Sequence, residues 1–515
     1  MQFSSLLAAL PKELAPPASM HCDLGSDPVI RGISYDSRKV APGDLFVALV
    51  GSASDGHDYL ERAITLGAVA LLVQTNSENT QNLGVAIAQV PDTRRSLAAI
   101  ATRFYGEPAN EVTLIGITGT NGKTSTSYLV ESILGHARKR TGLIGTVEVR
   151  YAGSAAPSVN TTPESLELQS TLRNMRTQNV DHVVMEVSSH GLELGRVLGC
   201  NFNIAAVTNV TQDHLDFHGN MEAYLASKLL LFTQYLDASG CAVVNLDDSC
   251  ASQFVDAAKT RGARVITVTR DATTPADIRL VSADITLSGS RVCIELPTGN
   301  VDLDVPLVGD FNLENLLVAC GICVGLGLEP EAIAEGVRAC PQVPGRMEVV
   351  ADDAPDAPTI IVDYAHTPDA VEKLLAAVRA LSTGRLITVF GCGGDRDRKK
   401  RPLMAQAVSQ LSDLALATSD NPRTEDPVAI LVDVEAGLNN MLRVDIDALD
   451  ASARAYSVVV DRREAVAHAI AIARKDDAVV LAGKGPEDYQ IVGTTKLPFD
   501  DRDEARRALR QRGGE

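Results

Sequence analysis

A chain of 515 residues is too long for one hydrophobic core, and about three domains are expected of it. Its 47 basic and 66 acidic residues leave a net charge of −19, which argues against a nucleic-acid binder but allows local basic sites for small anions. No apolar run reaches membrane-spanning length, the N-terminal stretch lacks the marks of a secretion signal, and nine cysteines form no framework. A soluble protein of the reducing cytoplasm is expected, without membrane or nucleic-acid partners.

Residues 1–105 read as a small α/β unit, in which the apolar runs DLFVALV and AVALLV alternate with helical stretches such as RRSLAAIATRFY. The turn cluster GEPAN opens a second unit, 106–342. Its strands VTLIGIT, HVVMEV, IAAVTNV, CAVVNL and ARVITVT are separated by helices, the pattern of a mostly parallel sheet covered on both faces. Between about 277 and 308 short strands without helices predict an antiparallel appendage on the same domain. The segment NLENLLVACGICVGLG then predicts a buried helix, so the C-x-x-C of Cys320 and Cys323 is read as packing rather than redox or zinc chemistry. CPQVPGR supplies a linker, and 343–515 carries TIIVDY, LITVFG, LALATS, YSVVV and AVVLAG with helices between them. That predicts a third, doubly wound unit.

The strongest motif is LIGITGTNGKTSTSYLVESIL. A buried strand runs into a glycine turn that opens a helix near Lys123, so backbone N–H groups can converge on phosphate oxygens. Lys123 is placed for the β/γ-phosphates and the Thr124 hydroxyl for Mg²⁺. The spacing departs from G-x-x-x-x-G-K-[ST], because Ile117 stands where the first glycine would fall. Two further candidates end strands of the same sheet: Glu186 in MEVSSHGLELGR and His214 in TNVTQDHLDFHG, both able to reach the loop's metal. His214 and His218 lack the glutamate of H-E-x-x-H, so a zinc site is discounted. Lastly, SDNPRTED places Arg423 at the mouth of a strand, on a turn stiffened by Pro422, positioned to hold an anion.

GTNGKT, NTTPE, MEVSSHGL, TNVTQDHLDFHG, GDFNLENLL, GRME, VDYAHTPDA, GCGGDRD, DNPR and GKGPEDYQ occur in that order, and together they resemble the Mur ligases of bacterial cell-wall synthesis. The likeness spans nearly the whole chain and is nearest to the diaminopimelate-adding members. It implies an N-terminal uridine-nucleotide domain, a central P-loop ATPase domain and a C-terminal Rossmann-like domain that receives an amino acid. The implied reaction joins meso-diaminopimelate to the D-glutamate γ-carboxylate of a UDP-muramoyl dipeptide through an acyl phosphate, with ATP becoming ADP and phosphate. The implied enzyme is a monomer.

By the same resemblance Gly119, Thr120, Asn121, Gly122, Lys123, Thr124 and Ser125 hold ATP phosphates, Asn312 contacts adenine, and Arg346 and Asp363 lie near phosphate and ribose. Thr124, Glu186, His214 and a carbamylated Lys228 hold the metal. Without CO₂ bound to it, Lys228 would repel the cation. Ser37, Asn160, Thr161, Thr162, Ser188 and Arg196 cradle the UDP-muramoyl dipeptide. Arg396, Asp420, Asn421, Pro422, Arg423, Gly483 and Glu487 form the diaminopimelate pocket. The guanidinium of Arg423 suits the distal carboxylate, which distinguishes diaminopimelate from lysine. Pro486 stands where close relatives have histidine, removing a donor from that pocket.

Alternatives are a lysine-adding Mur ligase and a folylpolyglutamate synthetase-like ligase. From other classes come a dinucleotide oxidoreductase, suggested by VFGCGGD but lacking G-x-G-x-x-G, and a P-loop switch or motor.

Overall fold

A computed structural model describes residues 1–15, 27–51, 54–75, 83–287, 289–350 and 356–512. The chain folds into three α/β domains, each built on one main sheet. The first sheet has four parallel strands, Gly32–Ser34, Asp44–Val47, Ala70–Gln74 and Ala86–Val90. The helix Thr93–Phe104 packs beside it, capped by Asp92, which accepts from Arg95 N at 3.0 Å.

The central sheet has eleven strands. Its middle is parallel, with Thr113–Thr118 between His182–Glu186 and Phe202–Val207. These strands read as continuous apolar runs because helices cover both faces. The segment expected to be an antiparallel appendage is continuous with this sheet: Ile278–Thr286 pairs parallel with Arg264–Thr269, then antiparallel with Gly289–Leu296. A second antiparallel extension, Glu148–Tyr151 and Ser154–Pro157, lies at the opposite edge. Cys320 and Cys323 are fully buried in the helix Phe311–Gly325, as expected of packing residues, and burial pushes both thiol pKa values up.

The third sheet has seven strands, parallel except at the edge strand Glu348–Val350, which follows the linker directly. Thr359–Asp363, Leu386–Phe390, Leu414–Thr418 and Ala478–Ala482 form its centre, and the carboxyl end of Thr359–Asp363 faces the central domain's phosphate loop across a cavity.

Candidate active site

The strand Thr113–Thr118 stops at Gly119, φ +148°, and the helix Lys123–His136 starts after Gly122, φ +86°. Space as well as φ demands glycine here. A Cβ on Gly119 would lie 1.9 Å from Thr208 Oγ1, and one on Gly122 1.9 Å from Asn315 Oδ1. The neighbouring strand's exit tethers the loop: Thr120 N donates to Asn209 O at 2.8 Å and Asn121 N to Asn209 Oδ1 at 2.9 Å. Gly122 offers no side-chain cap, so the first-turn N–H groups of the helix stay available to an anion.

Lys123 Nζ donates to Gly119 O at 2.8 Å and Thr120 O at 3.0 Å, curling over the loop. Burial lowers its pKa, against the pull of Glu186 and Asp213. Glu186 is fully buried at its strand end. Its Oε2 accepts from Thr124 Oγ1 at 3.1 Å and Thr146 Oγ1 at 2.8 Å, and its Oε1 from Thr146 N at 2.9 Å. His214 lines the same cavity, half exposed at φ +52°, with its ring edge-on to His190 at 4.7 Å. Burial, only partly opposed by Asp213, brings its pKa down to about 4.

Lys228 is 1% exposed in the helix Met221–Leu230. Its Nζ donates to Gly119 O at 2.9 Å and sits 4.3 Å from the Tyr224 ring centroid; among the described residues it forms no ion pair. Burial, reinforced by Lys123, holds its pKa well below the usual lysine value, which favours the neutral, nucleophilic amine.

A cavity of about 300 Å³ joins the loop to the third domain. Arg346 reaches in from the linker, its Nη2 3.4 Å from Thr124 Oγ1 and its guanidinium stacked 4.6 Å from the Tyr364 centroid. Asp363 also lines it, while accepting from Met347 N and Ala365 N at 2.7 Å each; burial raises its pKa. Asn312 turns inward instead, donating to Val308 O at 2.7 Å and accepting from Asn315 Nδ2 at 2.8 Å. From its helix Phe311, Glu314 and Asn315 line the cavity. His366, Lys373 and Leu374 complete that wall; none was singled out from sequence.

Behind Glu186 lies a threonine–serine lattice. Thr162 Oγ1 donates to Glu186 O at 3.0 Å and accepts from Ser188 N at 2.9 Å, while Thr161 Oγ1 meets Thr146 Oγ1 at 3.1 Å. Arg196 Nη1 donates to Thr162 O at 3.0 Å. Asn160 is exposed beside them, and Ser37 is buried in a turn of the first domain. Glu164, the last residue of NTTPE but given no role there, joins those two domains: its Oε1 lies 2.8 Å from Arg94 Nη1 and 2.9 Å from Arg196 Nη2.

The remaining predicted residues gather at three strand ends of the third domain. Arg423 adopts φ +51° and donates from Nη1 to Gly394 O at 2.7 Å. A Cβ on Gly393 would meet Arg423 Nη1 at 2.9 Å and Arg396 Cγ at 3.8 Å, so both arginines flank one glycine. Pro422 O packs against Gly394, where a Cβ would come within 1.9 Å of it. Asp420 and Asn421 are buried, and Asn421 Nδ2 donates to Glu487 Oε2 at 2.8 Å. Gly483, φ +116°, brings the third strand end to Asp420 Oδ2. Pro486 O accepts from Arg502 Nη2 at 3.3 Å.

The donor set at the loop suits a hard divalent cation. The Thr124 hydroxyl and Glu186 carboxylate are paired, and among the described residues no three His, Cys, Asp or Glu converge. A cation here would complete its shell with phosphate oxygens and water, the habit of Mg²⁺.

The class is therefore that of three-domain α/β enzymes organised round a bound nucleotide. Residues 29–105 match the Mur ligase family catalytic domain, 117–323 the Mur ligase middle domain and 345–485 the Mur ligase glutamate ligase domain. A UDP-N-acetylmuramoyl-L-alanyl-D-glutamate–2,6-diaminopimelate ligase of Gloeobacter violaceus is 46% identical over 94% of both chains. The enzyme of that name from Geobacillus thermodenitrificans is 42% identical over 99% of this chain and 100% of its own. A solved structure of a ligase with the same title superposes at TM-score 0.67, with 33% identity over 100% and 99% of the two chains. The chain belongs to the Mur ligase family.

Proposed function

We propose that this chain is the ATP-dependent ligase that adds meso-diaminopimelate to the D-glutamate γ-carboxylate of UDP-N-acetylmuramoyl-L-alanyl-D-glutamate in peptidoglycan precursor synthesis. The observation that carries the reading is the placement of Arg423. Its guanidinium lies past the carboxyl end of Leu414–Thr418, in the sheet whose strand Thr359–Asp363 ends at the cavity beside the phosphate loop, which supports an acceptor held on the nucleotide's side of that domain.

A carboxylate is a poor electrophile for an amine. Phosphorylation turns its oxygen into a leaving group, but the approach of two anions demands fixed positive charge. Lys123, curled over the loop, and Arg346, beside Thr124, supply it. Thr162, Ser188 and Arg196 hold the dipeptide next to Glu186. Thr124, Glu186, His214 and a carbamylated Lys228 would hold Mg²⁺, which when bound neutralises phosphate charge. The buried, neutral-leaning Lys228 amine is suited to capture CO₂, which converts a repelling cation into an anion. Arg423 and Arg396 take the distal carboxylate of diaminopimelate, and Asp420, Asn421 and Glu487 receive its ammonium. We assign the uridine-nucleotide domain to 1–105, the ATPase domain to 106–342 and the acceptor domain to 343–515, in a monomeric cytoplasmic enzyme.

The test is phosphate release from ATP, Mg²⁺ and the UDP-muramoyl dipeptide with a panel of amino acids. Diaminopimelate alone should drive turnover. Preference for lysine would make it a lysine-adding enzyme, and ATP hydrolysis without an acceptor would end the ligase reading. With ¹⁸O in the γ-carboxylate, one labelled oxygen should appear in the released phosphate.

A further inference from the structure

Lys484 is fully buried beneath the acceptor pocket. Its Nζ lies 3.1 Å from Glu487 Oε2 and 3.5 Å from both Asn421 Oδ1 and Asp420 Oδ1. Ring centroids of Tyr489 and Phe499 stand 5.7 and 5.9 Å away. The three polar neighbours come from two separate strand ends, and all three belong to the pocket assigned above to the acceptor's ammonium.

Counting charge shows what this arrangement leaves over. The other buried cation nearby, Arg462, is spent on Asp501, bonded from Nε at 2.8 Å and Nη2 at 2.7 Å. Two carboxylates, Asp420 and Glu487, therefore share the single ammonium of Lys484. Asp420 Oδ1 is buried and, beyond the long 3.5 Å approach of Lys484 Nζ, accepts no hydrogen bond among the described residues. A buried carboxylate oxygen without a donor is costly, and one incoming ammonium would both supply the donor and match the residual charge. Lys484 also fixes the Asn421 amide. With Oδ1 receiving Ile491 N at 2.9 Å and facing Lys484, Nδ2 can point only toward Glu487.

We propose that Lys484 is a positioning residue for the acceptor amino acid. By engaging Glu487 and orienting Asn421, it leaves the pocket with a single negative charge, so that one ammonium, flanked by the Arg423 guanidinium for a carboxylate, is the complementary ligand. The proposal rests on residues 420–423 and 487 forming the acceptor site.

The experiment varies diaminopimelate, ATP and UDP-muramoyl dipeptide separately in wild type, Lys484→Met, Glu487→Gln and the double variant. In Lys484→Met the diaminopimelate KM should rise roughly tenfold or more, with the other two KM values within about twofold of wild type. Because the double variant removes one charge of each sign, it keeps the single negative charge that Glu487→Gln abolishes, and its diaminopimelate KM should be no higher than that of Glu487→Gln alone. That comparison stands even if Lys484→Met does not fold. An unmoved diaminopimelate KM in Lys484→Met, a parallel rise in all three KM values, or a double variant roughly tenfold worse than Glu487→Gln overturns the proposal. Wild-type enzyme that ligates no diamino acid would sink the functional reading instead, and the proposal with it.

Discussion

The phosphate loop and the acceptor pocket solve opposite problems of recognition. The loop is local: residues 119–125 provide glycine φ values and a helix start, and one neighbouring strand exit tethers them. On the proposed reading backbone N–H groups do the binding, and the ligand is a generic phosphate. The proposed acceptor pocket is assembled from segments near 393, 421 and 484 and would read its ligand with side chains rather than backbone. It must be locked by other side chains: Arg401, 2% exposed, reaches Glu425 at 2.7 Å, Asp433 at 2.9 Å and Gly393 O at 3.3 Å. A generic site can be written in seven residues, whereas a selective one needs the tertiary fold.

That contrast is broken first by removing charge from the loop. Lys123→Ala should lower kcat by about 10³-fold, because a fixed cation beside the transferred phosphoryl group has no substitute in water. Single-turnover phosphate release measures it, and the diaminopimelate KM should stay put. A loss below about tenfold would remove Lys123 from the chemistry.

Lys228→Ala follows, with a loss on the order of 10²-fold. Here the signature is rescue. Acetate or formate, diffusing into the space left by the side chain, should restore part of the activity if a carbamate is what Lys228 normally contributes. Full activity without any added acid would leave Lys228 a packing residue.

Arg423→Ala sharpens the comparison from the other side. Its guanidinium is partly buried, and leaving a substrate carboxylate without it should cost about 2 kcal/mol in kcat/KM for diaminopimelate. The ATP KM should be unchanged, and discrimination against lysine should shrink. Equal losses for both amino acids would show that the arginine braces the loop through Gly394 O instead of reading the acceptor.

How much of this was legible in sequence follows the same division. Strands covered on both faces read as unbroken apolar runs, so three α/β units and the phosphate loop could be drawn directly. Ser154–Pro157 was missed because it is exposed and carries no apolar alternation, and Glu148–Tyr151 because its alternation of Val149 and Tyr151 with charged residues spans only four half-buried positions. The helix beginning near Asn312 was clear, but its rotation was not: only packing shows Asn312 turned inward and Glu314 and Asn315 facing the cavity. Glu164 escaped notice because its partners Arg94 and Arg196 come from separate domains, 70 residues before it and 32 after. Lys484 stood in the quoted GKGPEDYQ, yet spacing alone gives no sign that an ammonium lies fully buried there.

The smallest effect lies where the two regions touch. Lys400, from the third domain, bonds Asp213 Oδ1 at 2.9 Å, next to His214. Burial alone would push the Asp213 carboxyl up, but His214, Lys400 and His366 outweigh it and bring its pKa to about 2. A carboxylate depressed in the fold stabilises fully above its ordinary value of 3.8 and loses that contribution only as pH falls toward about 2. Neutral pH is therefore the wrong lever, and salt the right one, since Lys400 is partly exposed and its attraction is screened. Lys400→Ala should cost at most about 1 kcal/mol, read as a few-fold weaker affinity for ADP, whose proposed site is the cavity both domains line. Raising ionic strength should bring wild type and variant together, while changing pH between about 6 and 9 should leave the gap between them constant. A gap that survives high salt would mean Lys400 touches the nucleotide itself rather than fastening one domain to the other.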